Sequence, residues 1–167
     1  LDLEAATALG FACARAFDGT TPEDRAFARI AVALAKYLSN KRAPGVIYEA
    51  MECLGGMGYI EETPMPMLYR GAPLNSIWEG SGNVICLDIL PSLSRAPLAG
   101  HVLHQRLQVA CGHDAGFARA YSAHQARWPA LPPEGEARWF VESLAQLLAG
   151  AMLIEVAPQA VSDAFIA

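Results

Sequence analysis

Glu79 is the residue of this chain best suited to moving a proton. It follows Ile77 and Trp78 and precedes Gly80-Ser81-Gly82-Asn83. A carboxylate beside an indole and poorly solvated holds its proton more tightly than one in bulk water, which suits general acid–base work. The glycines let a ligand come close to the backbone, and Ser81 stands where a hydroxyl can cap a following helix. A second glycine cluster, Gly55-Gly56-Met57-Gly58-Tyr59, lies upstream. Taken singly, each segment has an ordinary explanation. A Glu at a helix start commonly serves the helix dipole. Two glycines after a helical run make a C-terminal cap with a tight turn. The cluster is not a dinucleotide fingerprint, because it follows a helix rather than a strand and lacks the G-x-G-x-x-G spacing.

The remaining reactive side chains form weaker patterns. His101 and His104 stand at i, i+3 on a helical stretch, but no third ligand is spaced to complete a metal site, so a solvated helix face and no metal are expected. His113 and His124 carry no pattern, and no serine lies in a nucleophile-type turn. Cys13, Cys53, Cys86 and Cys111 form no Cys-x-x-Cys pair. Buried, reduced thiols are expected, which favours a cytoplasmic protein. Trp128 and Trp139 are expected to pack in the core rather than stack on nucleic-acid bases.

Helices must position these groups. Residues 1–17 are alanine-rich, with Leu1, Ala5, Leu9, Cys13 and Phe17 at four-residue spacing. Thr21-Pro22-Glu23-Asp24 is a helix start with a hydroxyl cap, proline at the first helical position and acids in the first turn. Phe27, Ile30, Ala31, Leu34 and Leu38 continue the 3.6-residue period. Lys36, Lys41 and Arg42 suit a helix end, and Ala43-Pro44 predicts a restart into a helix bearing Ile47, Ala50, Met51 and Leu54. Residues 57–75, with Pro64, Pro66 and Pro73, read as a long loop with at most a short helical turn. Ser81 opens a further helix that Pro91 closes. Residues 97–110, a stretch through Phe117, Tyr121 and His124, residues 136–156 and a segment from Pro158 complete the pattern. No alternating strand and no internal repeat is visible. The fold class is all-α, an antiparallel bundle of four or more helices.

Composition bounds the function. The 167 residues fit one domain, and 53% are hydrophobic against 17% charged. That apolar surplus predicts faces covered by other domains or subunits. The formal net charge is −5. Residues 1–90 hold 7 Lys/Arg against 11 Asp/Glu, and residues 91–167 hold 5 against 6. Neither half is basic, so nucleic-acid binding by general charge is unsupported, although the placement of Arg106, Arg119, Arg127 and Arg138 is open. No apolar run of about 18 residues goes unbroken, so no membrane span is expected. No signal peptide is visible, and the opening in mid-helix suggests a piece of a longer protein.

Together the glycine-rich segments acquire a meaning that neither has alone. Ala50-Met51-Glu52-Cys53-Leu54-Gly55-Gly56-Met57-Gly58-Tyr59-Ile60-Glu61-Glu62, then Leu68-Tyr69-Arg70, then Ile77-Trp78-Glu79-Gly80-Ser81 resemble the C-terminal helical domain of the acyl-CoA dehydrogenases in order and spacing. The adaptive-response (alkylation-response) branch shares the Glu-x-x-Gly-Gly form and the Ser76–Asn83 octet. The resemblance implies a flavoprotein whose N-terminal helical and middle β domains lie outside this chain. It implies that Glu79 removes the α-proton of an acyl-CoA thioester while the β-hydrogen leaves as hydride to FAD. It places Glu52, Gly55, Gly56, Ser81 and Asn83 on the cofactor, the 52–56 stretch often across a subunit boundary, and Trp78 and Gly80 at the substrate. The Glu79 N–H is implied as a donor to the thioester oxygen. A homo-oligomer and an electron-transfer acceptor are further implied partners. Four departures stand out: Glu52 for a common Gln, Gly71 after Arg70 for Asp, Ser81 for Thr, and Asn83 for a longer amide or acid. A carboxylate cannot donate as an amide does. The same branch implies a rival role as a DNA-binding, alkylation-response flavoprotein with little turnover. The isolated chain is expected to hold no FAD and to be inactive.

Overall fold

The first two helices set the frame. In a computed structural model describing residues 1–167, α1 (Asp2–Asp18) and α2 (Pro22–Cys53) pack against each other across a short link. The first buries Ala5, Leu9, Ala12, Cys13 and Ala16, one stripe at helical spacing. The second begins with a capping box: the Asp24 N–H donates to Thr21 Oγ1 at 3.0 Å, and the Thr21 N–H donates back to Asp24 Oδ2 at 3.2 Å. Its first half carries Phe27, Ile30, Ala31, Leu34, Tyr37 and Leu38 into the core. Beyond Leu38 it buries nothing. The same helix is thus a core element for half its length and an outrigger for the rest.

After it come α3 (Gly56–Tyr59), α4 (Met65–Asn75), α5 (Gly82–Arg95), α6 (Pro97–Cys111), α7 (Ala115–Arg127), a 3-10 turn at Glu134–Glu136, α8 (Ala137–Val156) and α9 (Gln159–Ile166). The expected all-α bundle forms, without strands. At its centre, α8 buries Phe140, Val141, Leu144, Leu147, Leu148, Met152 and Leu153 and touches α1, α2, α5, α6, α7 and α9. It is long and apolar enough to cross a membrane by length and composition alone. That composition is equally the mark of a bundle's central helix, and here most of it is buried against neighbours.

Several expectations need correction. The chain does not restart at Ala43-Pro44, because α2 runs through Pro44. Pro44 has no N–H for the Asn40 carbonyl four residues back. That oxygen instead accepts from Ser76 Oγ at 2.9 Å, so tertiary structure repairs the gap. Lys36, Lys41 and Arg42 therefore lie in mid-helix, and Arg42 pairs with Asp2 at 2.6 Å. Residues 57–75 are mostly helix, with Pro66 at the start of α4 where proline is tolerated. Pro91 does not close α5, which continues to Arg95. Leu1 and Phe17 face solvent, as does Trp139 at 62% exposure. Trp139 is no core residue: it and the half-buried Trp128 hold the Arg127 guanidinium between them. All four cysteines are free, but Cys53 is exposed and Cys111 half-buried, leaving Cys13 and Cys86 as the buried thiols.

His124, featureless in sequence, is 7% exposed. Its Nδ1 lies 2.8 Å from Ser143 Oγ, and its ring packs on Trp128 and Phe140. Burial disfavours the imidazolium and pushes its pKa down to about 4. His104 also escapes the solvated face expected for it, through a hydrogen bond with the Tyr121 hydroxyl, whereas His101 is exposed. For His124 the unfolded chain takes up a proton near the ordinary histidine pKa of about 6.5, while the folded chain resists until about 4. Its stabilising contribution is therefore present above pH ~6.5 and is lost as pH falls towards 4, by up to about 3 kcal/mol. Urea unfolding followed by tryptophan fluorescence should show that loss, and His124→Phe should flatten it.

Candidate functional site

The outer face of α2 builds the site. Lys36 and Asn40 stand one helical turn apart, so both point the same way. The Lys36 ammonium donates to three successive backbone carbonyls, those of Trp78 at 2.5 Å, Glu79 at 2.8 Å and Gly80 at 3.1 Å. Asn40 Nδ2 donates to the Asn75 carbonyl at 2.7 Å, and Ser76 returns a bond to the Asn40 carbonyl. The turn between α4 and α5 is thereby fastened to α2 from Asn75 to Gly80. Gly82 is buried beside the Lys41 stem and the Tyr37 ring. Tyr37 itself donates to Glu142 Oε2 at 2.7 Å, tying α2 to α8, and burial with that carboxylate pushes its phenol pKa up.

The fastened turn is strained at the residue of interest. Glu79 is the only non-glycine residue with positive φ, at 51°, and Gly80 follows at 104°. A left-handed side-chain-bearing residue costs about 1–3 kcal/mol and persists only where its surroundings hold it. Three bonds from a charged donor, at about 1.5–3 kcal/mol each, are enough to do so. The Glu79 carboxylate, however, is not in an apolar pocket. It is exposed, and Trp78 beside it is 58% exposed. The poorly solvated environment read from sequence is absent in the single chain, because nothing in this bundle lies over the turn.

The second glycine segment forms a separate corner. Gly55 has φ 59°, which lets the chain leave α2 and turn directly into α3. Gly58 is buried where any Cβ would collide with the Met51 backbone carbonyl. Thr63 Oγ1 donates to the Met57 carbonyl at 2.9 Å, and Arg70 grips Glu61 with two bonds of 2.8 and 3.2 Å. The guanidinium holds the Glu61 carboxyl below its usual range. Glu52 is exposed, and its carboxylate beside Tyr48 pushes that phenol up. Met51, Tyr59, Ile60, Tyr69 and Arg70 help line an open cavity of about 540 Å³ here. Sixteen residues of α2 separate Lys36 from Glu52, about 24 Å of helix. One chain does not bring Glu79 and the 52–59 corner together.

The residues expected at a cofactor fit one in chemistry. An added Cβ at Gly55 or Gly56 would meet nothing within 4 Å, so backbone there is open to a ligand. Ser81 occupies the N-cap of α5, but contrary to expectation its hydroxyl makes no capping bond. The hydroxyl and the first N–H groups of α5 remain as donors at the positive end of a helix. Asn83 is exposed, with Arg138 at 3.5 Å. Donors of this kind suit the phosphates and polar rim of a flavin nucleotide.

Sequence reasoning missed Lys36, Asn40 and Ser76. Pro44 inside a strong helical period was the available signal, since it leaves a carbonyl in need of a donor. Other features do not converge. No group of His, Cys, Asp and Glu side chains could hold a metal. The largest cavity, about 650 Å³, lies between α6, α8 and α9 and shares no residue with the 75–83 turn. Arg106 stacks over Phe27, while Arg127 and Arg138 lie near the opposite end of α8.

The sequence of this bundle places it in a family. The profile described as "Acyl-CoA dehydrogenase, C-terminal domain" aligns with residues 1–93, and the chain belongs to that family. "Putative acyl-CoA dehydrogenase AidB" of Escherichia coli is 39% identical over 166 residues, 99% of this chain and 30% of that protein. "Acyl-CoA dehydrogenase family member 11" of Caenorhabditis elegans is 42% identical over 62 residues, 37% of this chain and 10% of that protein. Human short-chain specific acyl-CoA dehydrogenase is 34% identical over 71 residues, 42% of this chain and 15% of the enzyme. The chain thus spans a third or less of these relatives. Among solved structures, Caenorhabditis elegans ACDH-11 in complex with C11-CoA has a TM-score of 0.75 at 24% identity, covering 99% of this chain and 33% of that one.

The corner yields a direct test of packing. Gly58→Ala should lower stability by about 1–3 kcal/mol, because the methyl meets backbone that cannot step aside. Gly56→Ala, in open space, should be nearly neutral. Thermal denaturation of the two variants should separate them by several degrees.

Proposed function

We propose that the full-length protein is an FAD-dependent acyl-CoA dehydrogenase-like oxidoreductase in which Glu79 removes the α-proton of an acyl-CoA thioester. The observation that carries this reading is the Glu79 turn itself. Its residue pattern, Ile77-Trp78-Glu79-Gly80-Ser81, is held in a left-handed conformation by bonds from a neighbouring helix. Strain maintained at the cost of stability points to a working residue. The thioester-bearing neighbour ACDH-11 supports the substrate class.

The chemistry follows from a weak carbon acid. An α-C–H beside a thioester needs an aligned base and donors at the carbonyl oxygen as enolate charge develops. Glu79 would accept the α-proton on a carboxylate oxygen. Its own N–H would face the thioester oxygen, with Gly80 leaving room for the ligand and Trp78 flanking it. When bound, FAD supplies the acceptor for the β-hydrogen, which leaves as hydride. Glu52, Gly55, Gly56, Ser81 and Asn83 would hold it, the 52–56 group on a neighbouring copy, given its distance from Glu79. Substrate and the remaining domains would exclude the water that reaches Glu79 here. The exposed Met57, Tyr59, Met67, Leu74, Ile77 and Trp78 support such coverage and a homo-oligomer. A cytoplasmic setting and a separate electron acceptor complete the proposal. The net charge of −5 does not favour the DNA-binding alternative.

In the full-length protein, Glu79→Gln should leave flavin content unchanged. It should slow bleaching of the flavin by acyl-CoA by about 1,000-fold or more. Bleaching at the wild-type rate would refute the assignment.

A further inference from the structure

We infer that Lys36 is a positioning residue for the proton-transfer site: its ammonium sets the peptide planes on either side of Glu79, so that the Glu79 N–H is aimed away from α2 and towards the substrate. The inference rests on the reading of Glu79 as the base. It begins with the three carbonyls of Trp78, Glu79 and Gly80, which all turn to one Nζ within 2.5–3.1 Å. There is no cis peptide bond in the chain. In a trans peptide the C=O and the N–H of the next residue point in opposite directions. With the Trp78 carbonyl drawn to Lys36, the Glu79 N–H faces away from α2. With the Glu79 carbonyl drawn the same way, so does the Gly80 N–H.

Both N–H groups are free to act. Neither donates a hydrogen bond to backbone or to any side chain; Trp78 before them donates to Leu74, and the next paired N–H is that of Ile85, which donates to Ser81. The Glu79 and Gly80 N–H groups begin a run of unpaired donors that continues through Val84 at the start of α5, and it is these first two whose peptide carbonyls, those of Trp78 and Glu79, are held by a fixed cation on the other side. Lys36 makes no ion pair, so its bonding in this chain goes to the turn. Asn40 adds a second hold one helical turn along, at Asn75. That bond locates the turn but leaves the 78–80 peptide planes to Lys36. A donor must be aimed where oxyanion charge develops, and a small rotation of its peptide plane forfeits the effect.

Lys36→Met keeps the aliphatic stem and removes all three donors. In the full-length flavoprotein, it should lower kcat by about 100-fold while flavin content stays at wild-type stoichiometry and KM shifts much less. Lys36→Arg, which can still donate to carbonyls, should recover most of the loss. Hydrogen exchange supplies a readout independent of turnover: peptides covering 77–81 should exchange faster in Lys36→Met and near the wild-type rate in Lys36→Arg. A third readout separates positioning from general destabilisation. A 3-thia-acyl-CoA, whose α-proton is acidified, should give the long-wavelength absorbance of an enolate against oxidised flavin in wild type and much less of it in Lys36→Met. If Lys36→Met does not fold, Lys36→Gln, with one donor group left, is measured in the same way. Wild-type kcat and loop exchange in either variant, alongside an inactive Glu79→Gln, would overturn the role of Lys36 alone. A fully active Glu79→Gln would remove the base assignment and this inference with it.

Discussion

One ammonium group, on the buried-to-exposed boundary of α2, holds three successive carbonyls of the turn between α4 and α5, those of residues 78 to 80. Lys36 lies just before the last core residues of that helix, Tyr37 and Leu38. Its backbone is therefore as fixed as the bundle's interior, while its side chain reaches the surface. A short turn between two helices would otherwise relax into ordinary right-handed conformations. Instead the turn keeps a left-handed glutamate, and the rigidity of the core is transmitted to a solvent-facing carboxylate through hydrogen bonds rather than through burial.

The two halves of α2 have different duties. The first is locked into the bundle by Phe27, Ile30, Leu34 and Tyr37. The second passes the start of α1 at Arg42 and Val46 and then carries Tyr48 and the Gly55 corner out to α3 and α4. The proposed base is referred to the first half and the proposed cofactor corner to the second. A catalytic unit built from both then requires a second copy or further domains to close the separation. The dense apolar surface on α3, α4 and the turn agrees with that requirement.

Much of this was legible from residue patterns. The middle of the α1 stripe (Ala5, Leu9 and Cys13), the Thr21 box, the apolar period of α2 and the central helix α8 announced themselves through spacing that tertiary packing did not override, whereas Leu1 and Phe17 at the ends of that stripe face solvent. The Gly55 and Glu79 segments were legible as a pair because their order and separation match a family. What misled was proline. Pro44 and Pro91 each forbid one intrahelical bond and crowd the carbonyl four residues back, a local penalty of about 3 kcal/mol. Long-range contacts absorbed it: Ser76 for Pro44, and the packing of Cys86, Ile89 and Leu90 for α5. The solvation of Glu79 could not be read locally, since it depends on what lies above the turn and not on its sequence neighbours. The Lys36 bonds join residues 42 to 44 apart in sequence, and nothing in the composition of α2 marked which of its three mid-helix cations would make them.

Pro44 now acquires a different aspect. A substitution that restored an amide there would mend the helix ladder by conventional reasoning. In this molecule the Asn40 oxygen already accepts from Ser76, and its second lone pair leaves room for a new N–H beside that bond. The gain from restoring the amide would thus be smaller than the helix alone suggests, because the oxygen it would serve is not left without a donor.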